Sequence, residues 1–256
     1  MQAQIVILGS GTSMGVPTLG CTCRVCTSVD PHDRRTRPSI AIQWEEHTVL
    51  IDTGPDFRQQ ALREGLTHVD AVLYTHSHAD HILGLDDLRP LSFRKKEKIP
   101  LYADDAAATV IERIFNYTFD PDALYATRAR VEMHRLNASV AIQGKIFERV
   151  PLIHGEMEVA GFRFGNAAYL TDMNDIPKSS LPLLRDLDIL ILDALRRKPH
   201  PSHATLDQAL EFVRLIEPRR ALFTHMSHDL PHDETNSMLP EHVRLAYDGL
   251  RIPFEI

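Results

Sequence analysis

The 256-residue sequence lacks the features that mark membrane proteins, secreted proteins and general nucleic-acid binders. No segment approaches the ~20 consecutive apolar residues that a membrane-spanning helix needs. Basic residues are not in excess, since the net charge is −7, whereas general nucleic-acid binders usually carry a basic face. The N-terminal residues lack a basic stretch followed by an apolar run, so they do not predict a secretory signal. We therefore expect a cytoplasmic protein with neither membrane nor general nucleic-acid partners.

The chain has only three cysteines, and they lie in one hexapeptide, at Cys21, Cys23 and Cys26. An odd number in so tight a cluster is a poor disulfide framework. In a reducing compartment, the cluster favours metal binding instead. Three thiolates need a fourth ligand to complete a tetrahedron around zinc. The sequence must supply that ligand from elsewhere, and a histidine is the best candidate.

A run of metal-ligating side chains extends from His76 to His81 and includes His78 and Asp80. Neutral imidazole and carboxylate are the ligand types that Zn²⁺, Mn²⁺ and Fe²⁺ share. The run follows Ala71-Val72-Leu73-Tyr74, an apolar segment typical of a buried strand. Open α/β sheets usually place their sites at the carboxyl ends of strands. The pattern therefore predicts a metal site on the loop that leaves this strand.

Short apolar strands alternate with helical patterns along the whole chain, with no repeat and no linker. The predicted strands are Gln4–Leu8, Ile40–Trp44, Thr48–Ile51, Ala71–Tyr74, Leu101–Ala103, Phe147–Leu152, Phe162–Phe164, Ala168–Leu170, Ile189–Leu192, Ala221–Thr224 and Phe254–Ile256. The predicted helices are Phe57–Glu64, Leu85–Arg89, Asp105–Phe115, Ser180–Leu184, Thr205–Ile216 and Pro240–Leu245. The order of elements predicts an α/β domain spanning residues 1–256, with two sheets packed together and helices outside.

Other chemically distinctive residues also come directly after predicted strands. They are Asp52, His154, Asp172, Asp193 and His225. A single aspartate in such a position is usually a turn or cap residue. The recurrence after many strands predicts instead that these groups converge on one site at one edge of the sheets.

The segment from His76 to His81 matches the H-x-H-x-D-H signature of the metallo-β-lactamase-fold hydrolases, and the resemblance covers nearly the whole chain. Gly9-Ser10-Gly11-Thr12-Ser13 and Ile51-Asp52-Thr53-Gly54 occur in that family's order. Within the superfamily the chain resembles the PhnP-type phosphodiesterases. Their C-x-C-x-x-C segment corresponds to the three cysteines, and their H-x-x-H pair corresponds to His225 and His228.

The resemblance implies a four-layer αββα sandwich that carries two divalent metal ions, Mn or Zn, at the edge of its sheets. The implied catalytic ligands are His76, His78 and His154 for one ion, Asp80, His81 and His225 for the other, and Asp172 as the bridge. The resemblance also implies a structural zinc held by Cys21, Cys23, Cys26 and His228, in a segment around residues 20–38. Because relatives are often homodimers, a homodimer is a further expectation.

The resemblance further implies hydrolysis of a small cyclic phosphodiester, such as phosphoribosyl 1,2-cyclic phosphate or a 2′,3′-cyclic nucleotide. A hydroxide that bridges the two metals would be the nucleophile, with Asp80 and Asp172 in the catalytic machinery. His203 is the candidate general acid for the leaving group, since histidine titrates near neutrality. His200 is a weaker competitor. Asp52 and Asp193 are candidates for orienting ligand imidazoles, although Asp193 could simply end its strand.

Several alternatives stay open at this stage. The same fold serves tRNA 3′-processing nucleases and hydrolases of lactones and thioesters, and a non-catalytic PqqB-like carrier protein is another relative. Two basic runs could contact a substrate phosphate or lie in solvated loops: Arg34, Arg35 and Arg37 in the first, Arg196, Arg197 and Lys198 in the second. The remaining histidines have no matching motif and are interpreted as surface or structural: His32, His47, His68, His134, His232 and His242.

Overall fold

Among the residues that the structure describes, two mixed seven-stranded sheets form the centre of the protein. The computed structural model describes residues 1–95, 97–122, 124 and 127–256. The first sheet contains β1 (Gln2–Gly9), β2 (Ser39–Trp44), β3 (His47–Ile51), β4 (Ala71–Leu73), β5 (Ile99–Ala103) and β6 (Val131–Arg135). The strands from β3 to β6 are parallel, and β1, β2 and β3 pair in antiparallel fashion.

The second sheet repeats this pattern of antiparallel and parallel pairing. It contains β7 (Ser139–Ile142), β8 (Lys145–His154), β9 (Met157–Phe164), β10 (Ala167–Leu170), β11 (Ile189–Asp193), β12 (Arg220–Thr224) and β13 (Val243–Leu245). Here β7 to β10 pair in antiparallel fashion and β10 to β13 are parallel. The final strand, β14 (Arg251–Glu255), returns to the first sheet and pairs with β1.

Helices cover the outer faces of both sheets. They are α1 (Phe57–Glu64), α2 (Ala79–Ile82), α3 (Arg89–Ser92), α4 (Asp105–Ile114), α5 (Asn116–Phe119), α6 (Leu206–Ile216) and α7 (His232–Met238). The N-terminus of α6 is closed by a capping box between Thr205 and Gln208, which satisfies backbone donors that the helix itself leaves free. Among the described residues, no helix has the length and apolar character needed to cross a bilayer.

Three apolar layers hold these elements together and confirm the predicted αββα sandwich. The central layer lies between the two sheets and includes Ile5, Ile42, Phe147 and Phe162. One outer layer joins the first sheet to the helices on its outer face, and the other joins the second sheet to α6. Each sheet is therefore buried on both faces, which explains the nearly continuous apolar character of the central strands.

One predicted helix was wrong. Pro240–Leu245 was predicted to be helical, but Val243–Leu245 forms β13 and pairs in parallel with Ala221–Phe223 of β12. Val243 and Leu245 are buried in the outer apolar layer between the second sheet and α6. This packing outweighs the local preference for a helix. The strands β6 and β7 were not predicted, because these edge strands carry mixed polar sequence. Two further predicted helices are 3₁₀ turns: Leu85–Leu88 within the predicted Leu85–Arg89, and Leu181–Leu184 within the predicted Ser180–Leu184.

We expect the central apolar layer to carry a large share of the stability. Phe147 is fully buried and packs against Trp44 and Phe164, whereas its neighbour Ile146 in the same strand is 61% exposed. Phe147→Ala should lower the free energy of unfolding by about 3–5 kcal/mol. Ile146→Ala, the matched control on the opposite face, should change it by less than about 0.5 kcal/mol. Urea denaturation at fixed metal concentration measures both, and equal effects would contradict this assignment of faces.

Candidate metal centre

The strand ends bring seven of the predicted site residues into two adjoining groups. His76, His78, His154 and Asp172 form the first group, and Asp80, His81, Asp172 and His225 form the second. Within each group one ligand atom from every residue lies within 4.8 Å of the others. Asp172 belongs to both groups, so its carboxylate lies in the position of a bridge. This is the grouping that the resemblance implies.

The carboxylate of Asp172 lies between two imidazoles of the second group. Its Oδ2 is 3.1 Å from Nε2 of His81, and its Oδ1 is 3.2 Å from Nε2 of His225. The same Oδ1 is 4.0 Å from Nε2 of His76 in the first group. The hydroxyl of Thr171 donates a hydrogen bond of 2.9 Å to Oδ2 and fixes the orientation of the carboxylate.

Three site residues adopt a backbone conformation that non-glycine residues rarely occupy. Asp52, Asp172 and His225 have φ values of 65°, 54° and 58°, and each lies just beyond the end of a strand in the parallel part of its sheet. The left-handed conformation turns the chain sharply at the strand end. Such strained residues persist only where the surrounding structure holds them, and they concentrate at functional sites. Asp52 follows a strand of the first sheet, and the other two follow strands of the second, so their meeting at one edge of the sandwich favours a functional site there.

Asp52 and Thr75 fix the orientation of His81 from beneath the site. Oδ2 of Asp52 lies 2.7 Å from Nδ1 of His81, so Nε2 of the ring is directed towards Asp172. The backbone N–H and the hydroxyl of Thr75 each donate to Asp52 at 2.8 Å. The predicted orienting role of Asp52 therefore has a geometric basis. A carboxylate behind an imidazole is the usual arrangement around metal-ligating histidines.

Gly54 allows the His76–His81 run to pack closely against the end of β3. A Cβ atom at this position would lie 2.0 Å from the backbone oxygen of Asp80. Every other residue would therefore push the loop away from the site. The close contact with Asp80 therefore explains why the segment Ile51-Asp52-Thr53-Gly54 ends in glycine.

The site concentrates buried charge. Burial alone would raise the pKa of Asp172, but His225 and His81 hold that pKa well below its usual value. Burial alone would lower the pKa of His225, but Asp172, Asp80 and Asp193 outweigh it and raise that pKa to about 9. The carboxylates therefore stay ionised. Because little water reaches them, their negative charge must be balanced by positive charge nearby.

Divalent metal ions fit this arrangement. The Nε2 atoms of His76, His81 and His225 are buried and make no hydrogen bond among the described residues. Buried polar atoms are normally hydrogen-bonded. These three nitrogens lie close to carboxylate oxygens but make no hydrogen bond to them, so they have the capacity to bind another partner. The donor set of imidazoles and carboxylates suits Zn²⁺, Mn²⁺ or Fe²⁺. Two adjoining groups that share one carboxylate have room for two such ions.

His203 lies directly beside the second group. Its Nδ1 is 2.8 Å from Oδ2 of Asp193, and its ring stacks on that of His225 with the centroids 4.5 Å apart. The backbone N–H of Met173 donates to the same Asp193 oxygen at 3.0 Å. Asp193 therefore orients His203. The sequence had suggested that Asp193 orients a metal-ligating imidazole or simply ends its strand, so its contact with the candidate general acid was not predicted.

The loop before α6 also supports the first group. The backbone oxygen of Ser202 lies 2.7 Å from Nδ1 of His154 and accepts its proton, so Nε2 of that ring is the free nitrogen. His200, the weaker candidate for general acid, is half-buried, and its ring centroid lies 5.0 Å from that of His203. One loop therefore positions both His154 and His203.

The three cysteines and His228 form a separate group of potential ligands. Nδ1 of His228 is 3.5 Å from Sγ of Cys21 and 3.3 Å from Sγ of Cys26. The backbone N–H of Cys26 donates to Sγ of Cys23 at 3.5 Å and contributes to a lowered pKa of that thiol. Three thiolates and one imidazole are a complete tetrahedral set for zinc, with no position left for a substrate.

The first basic run does not behave as a solvated loop or as a phosphate contact. Arg35 is only 1% exposed, and its guanidinium donates to the backbone oxygens of Ser227 and Leu230. Arg37 is paired with Asp56 at 3.1 Å. Of this run only Arg34 is exposed. In the second run, Arg196 donates to backbone oxygens of its own loop, and Arg197 is exposed.

The supporting roles of Thr75, Ser202 and Arg35 were not predicted from the sequence. The position of Thr75 directly before the H-x-H-x-D-H run was the only available signal for a supporting hydroxyl. Ser202 acts through its backbone oxygen, and Arg35 binds backbone oxygens almost two hundred residues away in the chain. No pattern of residue types reports such contacts.

Comparison with known proteins places the chain in a family. Residues 47–226 match the family described as Beta-lactamase superfamily domain. A curated relative from Porphyromonas gingivalis, called octanoyltransferase, is 39% identical over 250 residues, which are 96% of this chain but 50% of that protein. The chain thus spans half the length of that relative. Coenzyme PQQ synthesis protein B of Methylorubrum extorquens is 30% identical over 225 residues, or 74% of this chain and 72% of that one.

A solved structure matches the fold along almost its whole length. A diphosphatase from the PhnP family shares 53% identity and a TM-score of 0.94, with 99% of this chain and 98% of that chain covered. The superfamily match over residues 47–226 contains every residue of the two adjoining ligand groups, whereas the cysteine group lies outside it. The chain therefore belongs to the β-lactamase superfamily and is a PhnP-like protein of the metallo-β-lactamase fold.

Proposed function

We propose that the protein is a metal-dependent hydrolase that cleaves small anionic phosphodiesters or diphosphates. The observation that carries this proposal is the pair of ligand groups sharing Asp172, with His203 beside them. The 53% identity to a PhnP-family diphosphatase supports the same class of substrate. The cyclic phosphodiesters expected from the sequence remain candidate substrates, and the diphosphate linkage is now a second one.

The proposed ligand assignment follows the grouping in space. His76, His78 and His154 would hold one divalent ion, Asp80, His81 and His225 the other, and Asp172 both. Two bound ions would lower the pKa of a bound water molecule and would stabilise negative charge on the phosphoryl oxygens. The chain's own contribution is to fix the ligands: Asp52 holds His81, and the Ser202 carbonyl holds His154.

His203 is proposed as the general acid that protonates the leaving oxygen. Asp193 accepts from Nδ1, so Nε2 is the nitrogen available to a substrate. Stacking on His225 keeps the ring at the edge of the metal groups. The side chain is 11% exposed, so a substrate can reach it while bulk water has little access. Proton donation by a positioned side chain typically contributes about 10²–10⁴-fold to a rate.

A cavity of about 390 Å³ lies beside the first group of ligands, which contains His76, and we place the organic part of the substrate there. His76 and Ser77 form the wall nearest the metal groups. Met157, Val159, Ala106 and Ala107 add apolar surface, while Asp104 and Glu158 add carboxylates. Apolar walls with a few polar groups are typical of small-molecule sites. The size suits a nucleoside or sugar rather than a polymer.

Metal removal should abolish activity. Chelator-treated protein should lose hydrolysis of bis-p-nitrophenyl phosphate, and Mn²⁺ or Zn²⁺ should restore it, because the ligands alone supply no nucleophile. Release of p-nitrophenol measures the rate, and elemental analysis reports the metal content. Turnover by fully metal-free protein would contradict the proposal, as would the absence of turnover with Mn²⁺, Zn²⁺ and Fe²⁺ alike.

The general-acid role predicts a dependence on the leaving group. His203→Ala should lower kcat about 10²–10⁴-fold for an alkyl phosphodiester, whose leaving oxygen needs a proton, but far less for a p-nitrophenyl ester. His200→Ala, at the neighbouring imidazole, is the matched control and should leave both rates near those of the wild type. A uniform loss for both leaving groups would indicate a structural defect and would remove His203 from the proton-transfer step.

Asp193 is proposed as the positioning residue for His203. Asp193→Asn keeps the shape but removes the carboxylate behind Nδ1, so the same dependence on the leaving group should appear in weaker form, roughly 10–100-fold. Metal content should stay that of the wild type. Comparison of kcat for the alkyl and p-nitrophenyl esters measures the effect, and an unchanged alkyl rate would show that Asp193 only ends its strand.

Acyl hydrolysis is the second candidate, and it rests on the octanoyltransferase name of the relative from Porphyromonas gingivalis. That name belongs to a protein twice the length of the matched region. A panel containing p-nitrophenyl octanoate, 2′,3′-cyclic AMP and ADP-ribose separates acyl, cyclic phosphodiester and diphosphate chemistry. The anionic phosphate substrates should be preferred in kcat/KM, because the paired metal groups bind anions. Preference for the neutral ester would favour the acyl reaction.

A further inference from the structure

A further cluster of potential metal ligands lies outside the two adjoining metal groups and the cysteine group. His32, His232 and Asp233 each offer one ligand atom, and these atoms lie within 4.8 Å of one another. His32 belongs to the 3₁₀ turn Pro31–Asp33 in the N-terminal segment, and the other two open α7. Chain segments separated by about two hundred residues therefore meet at this cluster.

His232 has an unused ring nitrogen in a buried position. The residue is 5% exposed, and its Nδ1 makes no hydrogen bond among the described residues. Burial, together with the neighbouring His32 and Arg35, lowers its pKa to about 4. The imidazole is therefore neutral at physiological pH, which is the form that binds metal ions. A buried polar atom without a partner normally marks a missing interaction.

The cluster is held rigidly by its surroundings. The rings of His32, His232 and Tyr247 pack together in a triangle, with the centroid of His32 4.6 Å from that of His232 and 4.3 Å from that of Tyr247. The backbone N–H of His232 donates to Asp33 at 3.0 Å, and the backbone N–H of His32 donates to Asp30 at 2.9 Å. These contacts hold the two imidazole rings side by side, so a metal ion would bind them with little loss of side-chain entropy.

The nearby charges permit a cation. The guanidinium of Arg35 lies close, but it is engaged by the Asp33 carboxylate and by backbone oxygens. Asp30 and Asp233 add two further carboxylates: Oδ1 of Asp30 is 3.4 Å from Nδ1 of His32, and Asp233 belongs to the cluster. With His32 half-buried and Asp233 exposed, the cluster opens to water on one side.

We propose that His32, His232 and Asp233 bind a further divalent transition-metal ion with an open coordination position. Two imidazoles and one carboxylate suit Zn²⁺, Ni²⁺ or Cu²⁺ and are a poor set for Mg²⁺ or Ca²⁺. Three protein ligands leave at least one position for water, in contrast to the closed set of three cysteines and His228. The ion here should exchange more readily than one held by thiolates.

The bound ion would join the N-terminal segment to the start of α7. The Arg24–Glu234 ion pair already joins these segments on the exposed side, at 2.6 Å. Binding to the folded state alone stabilises that state increasingly as the ligand concentration rises. Metal binding at this site should therefore raise the midpoint temperature of thermal unfolding of the wild type. A variant that lacks one of the three ligands should lose this increase.

Titration calorimetry of the fully metal-loaded protein with ZnCl₂ tests the site. The wild type should take up one further equivalent of Zn²⁺. His32→Asn and His232→Gln should each weaken that uptake at least about tenfold, since loss of a metal-site residue typically costs this much affinity. His242→Asn removes an exposed histidine elsewhere and should bind as the wild type does. Crystals soaked in Ni²⁺ should show an anomalous peak between the two imidazoles.

Unaltered uptake by both variants, or no further equivalent in the wild type, would overturn the proposal. His232→Gln changes a buried residue, so its unfolding midpoint without added metal is measured first. His32→Asn changes a half-buried ring and provides the test if His232→Gln fails to fold. The number of Zn²⁺ equivalents bound does not depend on phosphodiesterase activity. The experiment therefore tests this site independently of the proposed reaction.

Discussion

The shared carboxylate of Asp172 is the interaction on which the rest of the site depends. It is buried between imidazoles, with oxygen-to-nitrogen distances of 3.1 and 3.2 Å to His81 and His225. An ionised carboxylate is stable in such a position only if positive charge surrounds it. The strained backbone at Asp172 and the hydrogen bond from Thr171 show how the fold holds this carboxylate in place.

The cysteine group and the two adjoining metal groups are mechanically connected. His225 belongs to the second metal group and His228 to the cysteine group, and they lie three positions apart on one loop. The backbone between them pairs with Ser10 and Thr12 through Met226, while Arg35 binds the oxygen of Ser227. Because one short loop carries a residue of each group, a change at the cysteine group that displaces this loop would also displace His225. A zinc ion held by the cysteines would therefore steady more than its own segment.

The second sheet supports the proposed proton transfer through two contacts, one made by Asp193 and one by the loop that carries His203. Asp193, at the end of β11, accepts from the backbone N–H of Met173 and orients His203. The loop that carries His203 also offers the Ser202 carbonyl to His154. The candidate general acid and one candidate metal ligand therefore share a support. Small shifts of this loop would change metal binding and proton transfer together.

The sequence by itself determined most strands, because buried strands have an apolar pattern. The αββα class and the residues that gather at the site followed from the family resemblance that the H-x-H-x-D-H run and the cysteine segment carry. The sequence could not show that Val243–Leu245 is a strand, since its partner β12 lies about twenty residues earlier in the chain. Only the tertiary structure decided that Arg35 is buried, that Asp193 orients His203 and that His32 meets His232. These contacts depend on how loops and chain segments pack in space, and residue spacing does not encode that packing.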